Sequence, residues 1–372
     1  MDPPRVFFAY RDAPERRAAL RLPPGALERY RLFGLDGVAA RAAGVHHNLE
    51  DAGSPAWARA LATLINRPLY GIGGYGGDFA TVLASLRRIN RADVVFSTVD
   101  TVGVPLMLLK RAGLVRPPLV YVSIGLPERL AQLRGERMQR LYARSLCGVQ
   151  AIVSYAKREV EQLSGWLGAE APPIVFVPFG VDVEAFRPMP GLTPDTDVVT
   201  VGADPRRDFS LLLQIATRRP ELSFRFVAST EHARALRAVP ANVAVETDIP
   251  LDQVRDRLGR ARVVALPVRD NSYSGATTVL LQAMAMAKPV VVSRTAAISE
   301  GYELEDGVNC RLVPPGDAAA FERALLEQVT GAGAASALGT RARQTVERSL
   351  SWERYTDALW QVLRGISPRP SG

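Results

Sequence analysis

The chain of 372 residues has only two cysteines, Cys147 and Cys310, far apart and with no Cys-x-x-Cys pair. That scarcity excludes a disulfide framework and a thiolate zinc site, and makes free thiols in a reducing cytoplasm the expectation. Three histidines, at 46, 47 and 232, are too few for a His-rich centre, so no metal and no resident cofactor is expected. The sequence contains no uncharged apolar run of about 18 residues, the length that spans a bilayer. The opening Met-Asp-Pro-Pro-Arg lacks an apolar signal core. Lysine is scarce as well: Lys110, Lys157 and Lys288 are all there is, so the net charge of +8 rests on arginine. Such a balance favours anionic partners, namely nucleoside diphosphates or an acidic membrane surface. No zinc-finger, RNA-recognition or basic-helix motif points to nucleic acid. The expectation is a cytoplasmic protein, with peripheral contact at the inner membrane face through Arg16, Arg17, Arg21, Arg29 and Arg31 as one option and a solvated basic face as the other.

What the chain does contain is alternation. At 372 residues it exceeds the roughly 250–300 at which single cores stop growing, so two domains are expected. Short β-branched runs at 5–10, 44–49, 92–97, 119–124, 151–154 and 174–177 alternate with helical stretches near 101–112, 126–147 and 156–167, the pattern of a doubly wound α/β domain. A second set follows at 197–201, 223–228, 243–245, 262–266 and 290–293, with helices from Phe209, at 318–329 and at 334–349. The Pro- and Gly-bearing stretch 189–196 reads as a linker. The expected division is therefore 1–188, the linker, 197–350, and a closing segment 351–372.

Residues 265–293 hold the densest information: a buried strand, a polar loop from Val268, an apolar helix and a second buried strand. Ligands of open α/β sheets bind at the carboxyl ends of strands, which is where this loop lies. Ser274, Gly275, Ala276, Thr277 and Thr278 run straight into the helix, so their backbone N–H groups and hydroxyls face that place, and Gln282 reaches back toward it one turn later. A Thr-capped helix packing Val279, Leu280, Ala283 and Met284 into a core is the plainer reading.

Gln-Ala-Met-Ala-Met-Ala-Lys-Pro-Val-Val at 282–291 resembles the signature of family 4 glycosyltransferases, in which Leu-Glu-Ala-Met-Ala-x-Gly-Lys-Pro-Val-Val follows Glu-Gly-Phe-Gly. Val177–Pro188 resembles that family's Pro-Asn-Gly-Val-Asp segment between domains, and Gly202-Ala-Asp-Pro-Arg206-Arg207 its Val-Gly-Arg strand end followed by Lys-Gly. Ser351–Trp360 resembles the helix that returns to the first domain. The resemblance implies the GT-B fold, two Rossmann-like doubly wound domains facing a cleft. It also implies retaining transfer of a sugar from a nucleoside diphosphate, uridine or guanosine by family habit, to a hydroxyl acceptor.

Carried over residue by residue, it places Arg207 and Arg206 on the leaving phosphate and Ser274 near the sugar, as the catalytic candidates. The donor is then held by Gly202, by Asp248 and Ile249 near the base, and by Ser274, Gly275, Ala276, Thr277, Thr278 and Gln282. This chain departs from the family at both glutamates of the signature, whose positions fall on Ser274 and Gln282, and at the family's arginine, where Ala203 stands. A histidine that many members carry is replaced in Val-Ser-Ile-Gly at 122–125. A catalytically silent nucleotide-sugar-binding subunit on the same fold is therefore a second reading.

Tyr70–Asp78 contains Gly71, Gly73 and Gly76 in G-x-G-x-x-G spacing. Dinucleotide binding requires a buried strand running into the first glycine, whereas Asn66-Arg67-Pro68 precedes it and Asp78 stands ready to cap a following helix. A mobile or closely approached loop is the better reading, and an NAD enzyme or a sugar-nucleotide epimerase the third option. On the acceptor side, where glycan, lipid and small metabolite remain open, Gly73, Gly74, Asn48, Asp100 and Ser123 fall at strand ends or in this loop, with His47 beside them.

Overall fold

The structure, a computed structural model, describes residues 3–50, 53–273 and 275–366. The described residues up to Val177, together with those from Tyr355 on, form one compact unit, and Pro178–Arg354 form the other.

Unit 1 begins with β1 (Arg5–Ala9), α1 (Pro14–Arg21), α2 (Leu35–Ala39), β2 (Gly44–His47), α3 (Ala56–Gly71) and α4 (Phe79–Ile89). It continues through β3 (Val94–Ser97), α5 (Asp100–Arg111), β4 (Leu119–Ser123), α6 (Leu126–Leu130), α7 (Glu136–Cys147), β5 (Ala151–Ser154), α8 (Lys157–Leu167) and β6 (Ile174–Phe176). The six strands lie in the order β2-β1-β3-β4-β5-β6, all parallel. β3, β4 and β5 are buried along their whole length, as strands covered on both faces must be. The strand order reverses between β1 and β3, so the carboxyl ends of those two strands flank this sheet's switch point.

Unit 2 runs β7 (Thr196–Gly202), α9 (Phe209–Arg218), β8 (Phe224–Ala228), α10 (Thr230–Ala235), β9 (Val243–Thr247), α11 (Leu251–Arg260) and β10 (Ala261–Leu266). Then come α12 (Thr277–Ala285), β11 (Val290–Ser293), α13 (Ala296–Ser299), β12 (Arg311–Val313), α14 (Ala318–Thr330) and α15 (Ala332–Ser349). Its six parallel strands are ordered β12-β11-β10-β7-β8-β9, which is the 3-2-1-4-5-6 order of a doubly wound nucleotide-binding sheet, with the switch between β7 and β10.

The last described helix, α16 (Trp352–Ile366), starts in unit 2 and ends in unit 1. Inside unit 1 its Tyr355 hydroxyl meets that of Tyr155 at 3.0 Å, and Thr356 packs so closely on Gly37 that a Cβ there would lie 2.8 Å away.

Two features escape the hydrophobic pattern. The helix α3 carries Pro68 and has apolar residues on two faces, Ala58, Ala62, Ile65 and Leu69 inward and Trp57, Leu61 and Leu64 outward, so no single stripe announces it. The strand β12 has only three residues, too few for an alternation to show.

The arginines of 11–43 are largely spent inside unit 1. Arg17 grips Asp12 at 2.6 and 2.9 Å and the Leu49 carbonyl at 2.9 Å. Arg29 bonds Asp36 and the carbonyls of Ala19, Leu20 and Leu22, which end α1. Arg16 lies over the rings of Tyr10 and Phe33, and Arg31 over Tyr30. Of the five expected to face a membrane or solvent, these four are tied to protein groups. No helix among the described residues is long and apolar enough to cross a membrane.

Candidate nucleotide-sugar site in unit 2

The site is built from two loops that leave the carboxyl ends of β7 and β10. They are stitched together: Asp208 N–H donates to the Pro267 carbonyl at 3.0 Å, Arg269 N–H donates to the Arg206 carbonyl at 2.8 Å, and Arg207 bridges Val268. Val268 N–H is held in turn by Ser293 Oγ at the end of β11, 2.9 Å away. Three consecutive strands thus fix one rim.

Arg207 is only 4% exposed, and its Nε and Nη1 have no hydrogen-bond partner. Burial pushes its pKa down to about 10 against the opposing pull of Asp204. Gly202 makes the space: a Cβ at that position would run into the guanidinium. A buried cation with unsatisfied donors is costly unless an anion completes it.

That anion has a second set of donors. The N-terminus of α12 carries no side-chain cap, in contrast to α9 and α4, which Asp208 and Asp78 cap. Its first backbone N–H groups therefore have no capping side chain, the arrangement that suits an anion. Thr277 Oγ1 is buried there without a partner, and Gln282 is buried beside it on the same helix, 3% exposed. Asp204 joins the two halves. Its Oδ1 accepts from Arg206 N–H at 2.8 Å and from Tyr273 Oη at 3.1 Å, and a Cβ on Gly275 would lie 2.9 Å from its carboxylate.

Gly202, Arg206, Arg207, Gly275, Ala276, Thr277, Thr278 and Gln282 thus all belong to these two loops and the helix that follows them. Ser274 lies outside the described residues. Asp248 and Ile249 sit elsewhere on the same carboxyl edge, after the edge strand β9, and Asp248 Oδ2 accepts from the Thr230 N–H and hydroxyl. Sequence reasoning passed over Asp204, Tyr273 and Thr295, whose Oγ1 is buried and unpartnered just after β11. Thr295 carries a signal that a search for polar residues directly after strands would catch; Asp204 shows its role only through contacts with residues about 70 positions on.

In unit 1 the acceptor-side candidates divide. Asn48 spends its amide on the Tyr10 backbone, accepting its N–H at 2.7 Å and donating to its carbonyl at 2.9 Å, so it extends the pairing of β1 beyond β2. His47 is buried with Nδ1 unpartnered, and burial lowers its pKa. Asp100 and Ser123 belong to one buried polar cluster. Asp100 accepts from Tyr121 Oη at 2.8 Å and Ile124 N–H at 3.2 Å, with Arg129 Nε at 3.9 Å. Burial and then the Glu159 charge push its pKa up to about 8. Glu159 accepts from Ser123 Oγ, Gly125 N–H and Ser154 Oγ at 3.0, 2.6 and 2.6 Å. A usable hint for it lies in the spacing: Glu159, Leu163 and Leu167 fall on the buried face of α8, where a carboxylate demands partners.

The glycine-rich loop follows the close-approach alternative expected of it and not the dinucleotide one. α3 runs through Gly71, so a helix, not a strand, enters the G-x-G-x-x-G spacing and the dinucleotide reading fails on geometry. The loop is also pinned: Gly73 O accepts Arg134 N–H at 3.0 Å, a Cβ on Gly74 would meet Leu69 at 2.8 Å, and Arg129 lies 4.5 Å over the Tyr75 ring. Asp78 caps α4 through the Thr81 N–H, as its position suggested. Among the described residues, no group of three His, Cys, Asp or Glu side chains is arranged to hold a metal ion.

Comparison with known proteins fits this geometry. Residues 197–330 match the family model of glycosyl transferases group 1. A stretch of 164 residues is 27% identical to the lipopolysaccharide core biosynthesis glycosyltransferase LpsE of Rhizobium meliloti, covering 42% of this chain and 46% of that protein, so the match spans about half of the relative's length. The backbone superimposes on sucrose-phosphate synthase of Thermosynechococcus elongatus with a TM-score of 0.72 at 15% identity, over 97% of this chain and 98% of that one. It is equally similar to HepE of Anabaena, solved with UDP and glucose, with a TM-score of 0.72 at 14% identity, over 97% and 100% of the two chains. The chain therefore has the GT-B fold of these glycosyltransferases, and its segment 197–330 is similar to group 1 glycosyl transferases.

Proposed function

We propose that the chain is a retaining glycosyltransferase that moves a sugar from a nucleoside diphosphate to a hydroxyl acceptor. One observation carries this reading: buried Arg207, with unpartnered donors, at a switch point beside an uncapped helix N-terminus. As the bond to the sugar breaks, negative charge builds on the leaving phosphate. Arg207, the α12 amides and Thr277 are pre-aimed at that charge, and each such donor typically contributes about 10²–10³ in rate. No dedicated protein base is required if the leaving phosphate takes the acceptor proton on the same face. Among the bases, uridine is favoured over guanosine because HepE was solved with UDP and with UDP-glucose.

Gln282 accepts from one ribose hydroxyl and donates elsewhere in this reading, and Asp248 with Ile249 approach the base. Gly73, Gly74, Asp100 and Ser123 would line the acceptor side. Likeness to LpsE favours a glycan among the acceptors left open. A membrane contact, where it occurs, falls to α3 in place of 11–43. Trp57, Leu61 and Leu64 are 57, 39 and 70% exposed on one face, and residues 53–77 hold Arg59 and Arg67 but no acid.

The second reading, a silent donor-binding subunit, is favoured by the missing glutamates at 274 and 282. The deciding test is thermal stability with UDP, GDP, their sugars and NAD, followed by hydrolysis and transfer assays. Wild type stabilised by one nucleotide family, with loss in Arg207→Ala, supports the donor site, and binding without hydrolysis or transfer supports the silent subunit. Stabilisation by none of them, or by NAD alone, sinks both.

A further inference from the structure

Asp204 poses an electrostatic problem. It is a carboxylate inside the rim that Arg207 and the α12 N-terminus prepare for an anion. Beside a bare phosphate, that negative charge opposes binding. The carboxylate is also only half used: Oδ1 holds Arg206 N–H and Tyr273 Oη, while Oδ2 accepts no hydrogen bond from any described residue. The residue is partly exposed, so this acceptor is open to a ligand. A ligand that carries hydroxyl donors directly next to its phosphates turns the penalty into a gain, and the sugar of a nucleotide sugar does so.

We propose that Asp204 is the residue that reads the hydroxyls of the donor sugar, its Oδ2 accepting sugar O–H groups while Arg207 and the α12 amides hold the diphosphate. This rests on the donor-site reading above. The chain's own loop after β7 thereby brings a carboxylate to the residues on either side of 274, where the sequence has a serine. The inference has a signature that a purely structural Asp204 lacks. Removing its charge should leave bare UDP bound as tightly as before or more tightly, yet weaken UDP-sugars.

Asp204→Asn keeps an Oδ1 that can accept from Arg206 and Tyr273, so the loop is retained. The experiment is calorimetric binding of UDP and of UDP-glucose, UDP-galactose and UDP-N-acetylglucosamine to wild type, Asp204→Asn and Tyr273→Phe. In Asp204→Asn the affinity ratio of the preferred UDP-sugar to UDP is expected to fall about 10- to 100-fold, the usual effect of losing hydrogen bonds to a charged group. Tyr273→Phe, which removes a donor but not the charge, should leave the ratio unchanged. Equal weakening of UDP and UDP-sugar in Asp204→Asn, or the same loss of ratio in Tyr273→Phe, assigns Asp204 to loop structure and overturns the inference while the donor site stands. Failure of wild type to bind any of these ligands overturns the donor reading itself.

Discussion

Arg207 folds its guanidinium directly against Gly202, the last residue of β7, so that no side chain fits between them. The glycine is thus a spacer for a cation. Gly202→Ala should displace Arg207 from the rim while leaving the sheet intact, and weaken UDP binding about 10- to 100-fold with little change in thermal midpoint of the free protein. Calorimetry alongside a melting curve separates the two effects; unchanged affinity would mean that Arg207 does not hold the nucleotide.

Asp100 makes unit 1 sensitive to pH. Its folded pKa of about 8 stands above the ordinary aspartate value of 3.8, because burial and Glu159 disfavour the charge more than Tyr121, Arg129 and the Ile124 N–H favour it. The folded state therefore holds a proton that the unfolded chain releases. Stability from this group is fully present below about pH 4 and declines as pH rises toward 8, by at most about 1.4 kcal/mol per pH unit for one proton. Asp100→Asn removes the dependence, so denaturant titrations at pH 5 and pH 8 should show a smaller loss in the variant than in wild type.

Ala287 occupies the left-handed region, with φ of +55°, at the turn between α12 and β11. A β-carbon in that conformation costs about 1–2 kcal/mol, partly offset by the lower chain entropy of alanine. Ala287→Gly is expected to stabilise the protein by about 0.5–1 kcal/mol. The neighbouring Gly339 has no such freedom, since a Cβ on it would collide with the Ala287 carbonyl, and Gly339→Ala should lower the melting temperature.

The outward face of α3 offers a test by introducing negative charge among its apolar side chains. Trp57→Glu with Leu64→Glu should abolish co-sedimentation with phosphatidylglycerol vesicles and leave UDP binding and melting untouched, because both side chains are exposed. Wild type that stays in the supernatant with these vesicles would rule out the membrane contact.

The strands were legible because buried parallel strands are written as continuous β-branched runs, and Val290–Ser293 or Val94–Ser97 can hardly be read otherwise. The loop before α12 was legible as a loop for a related reason: a run of small polar residues between a strand and a helix continues neither period. Asp204 was not, since its meaning depends on Tyr273 and Gly275, brought to it only when β7 and β10 become neighbours. The α3 helix was missed because Pro68 and a two-sided apolar pattern mask its period. In the basic segment 11–43, composition suggested solvent or lipid, whereas Arg17 and Arg29 found carboxylates and helix-end carbonyls in the fold.

The membership of α16 has a bearing on synthesis. Unit 2 is an insertion between two parts of unit 1, so a chain growing on the ribosome can complete the whole β7–β12 sheet before Tyr355, which pairs with Tyr155 200 residues earlier, has been made. The first sheet has all its strands by Phe176, but unit 1 keeps the surface that receives Tyr355 and Leu359 uncovered until α16 emerges. Order of translation and order of completion are thereby reversed for the two halves of the protein.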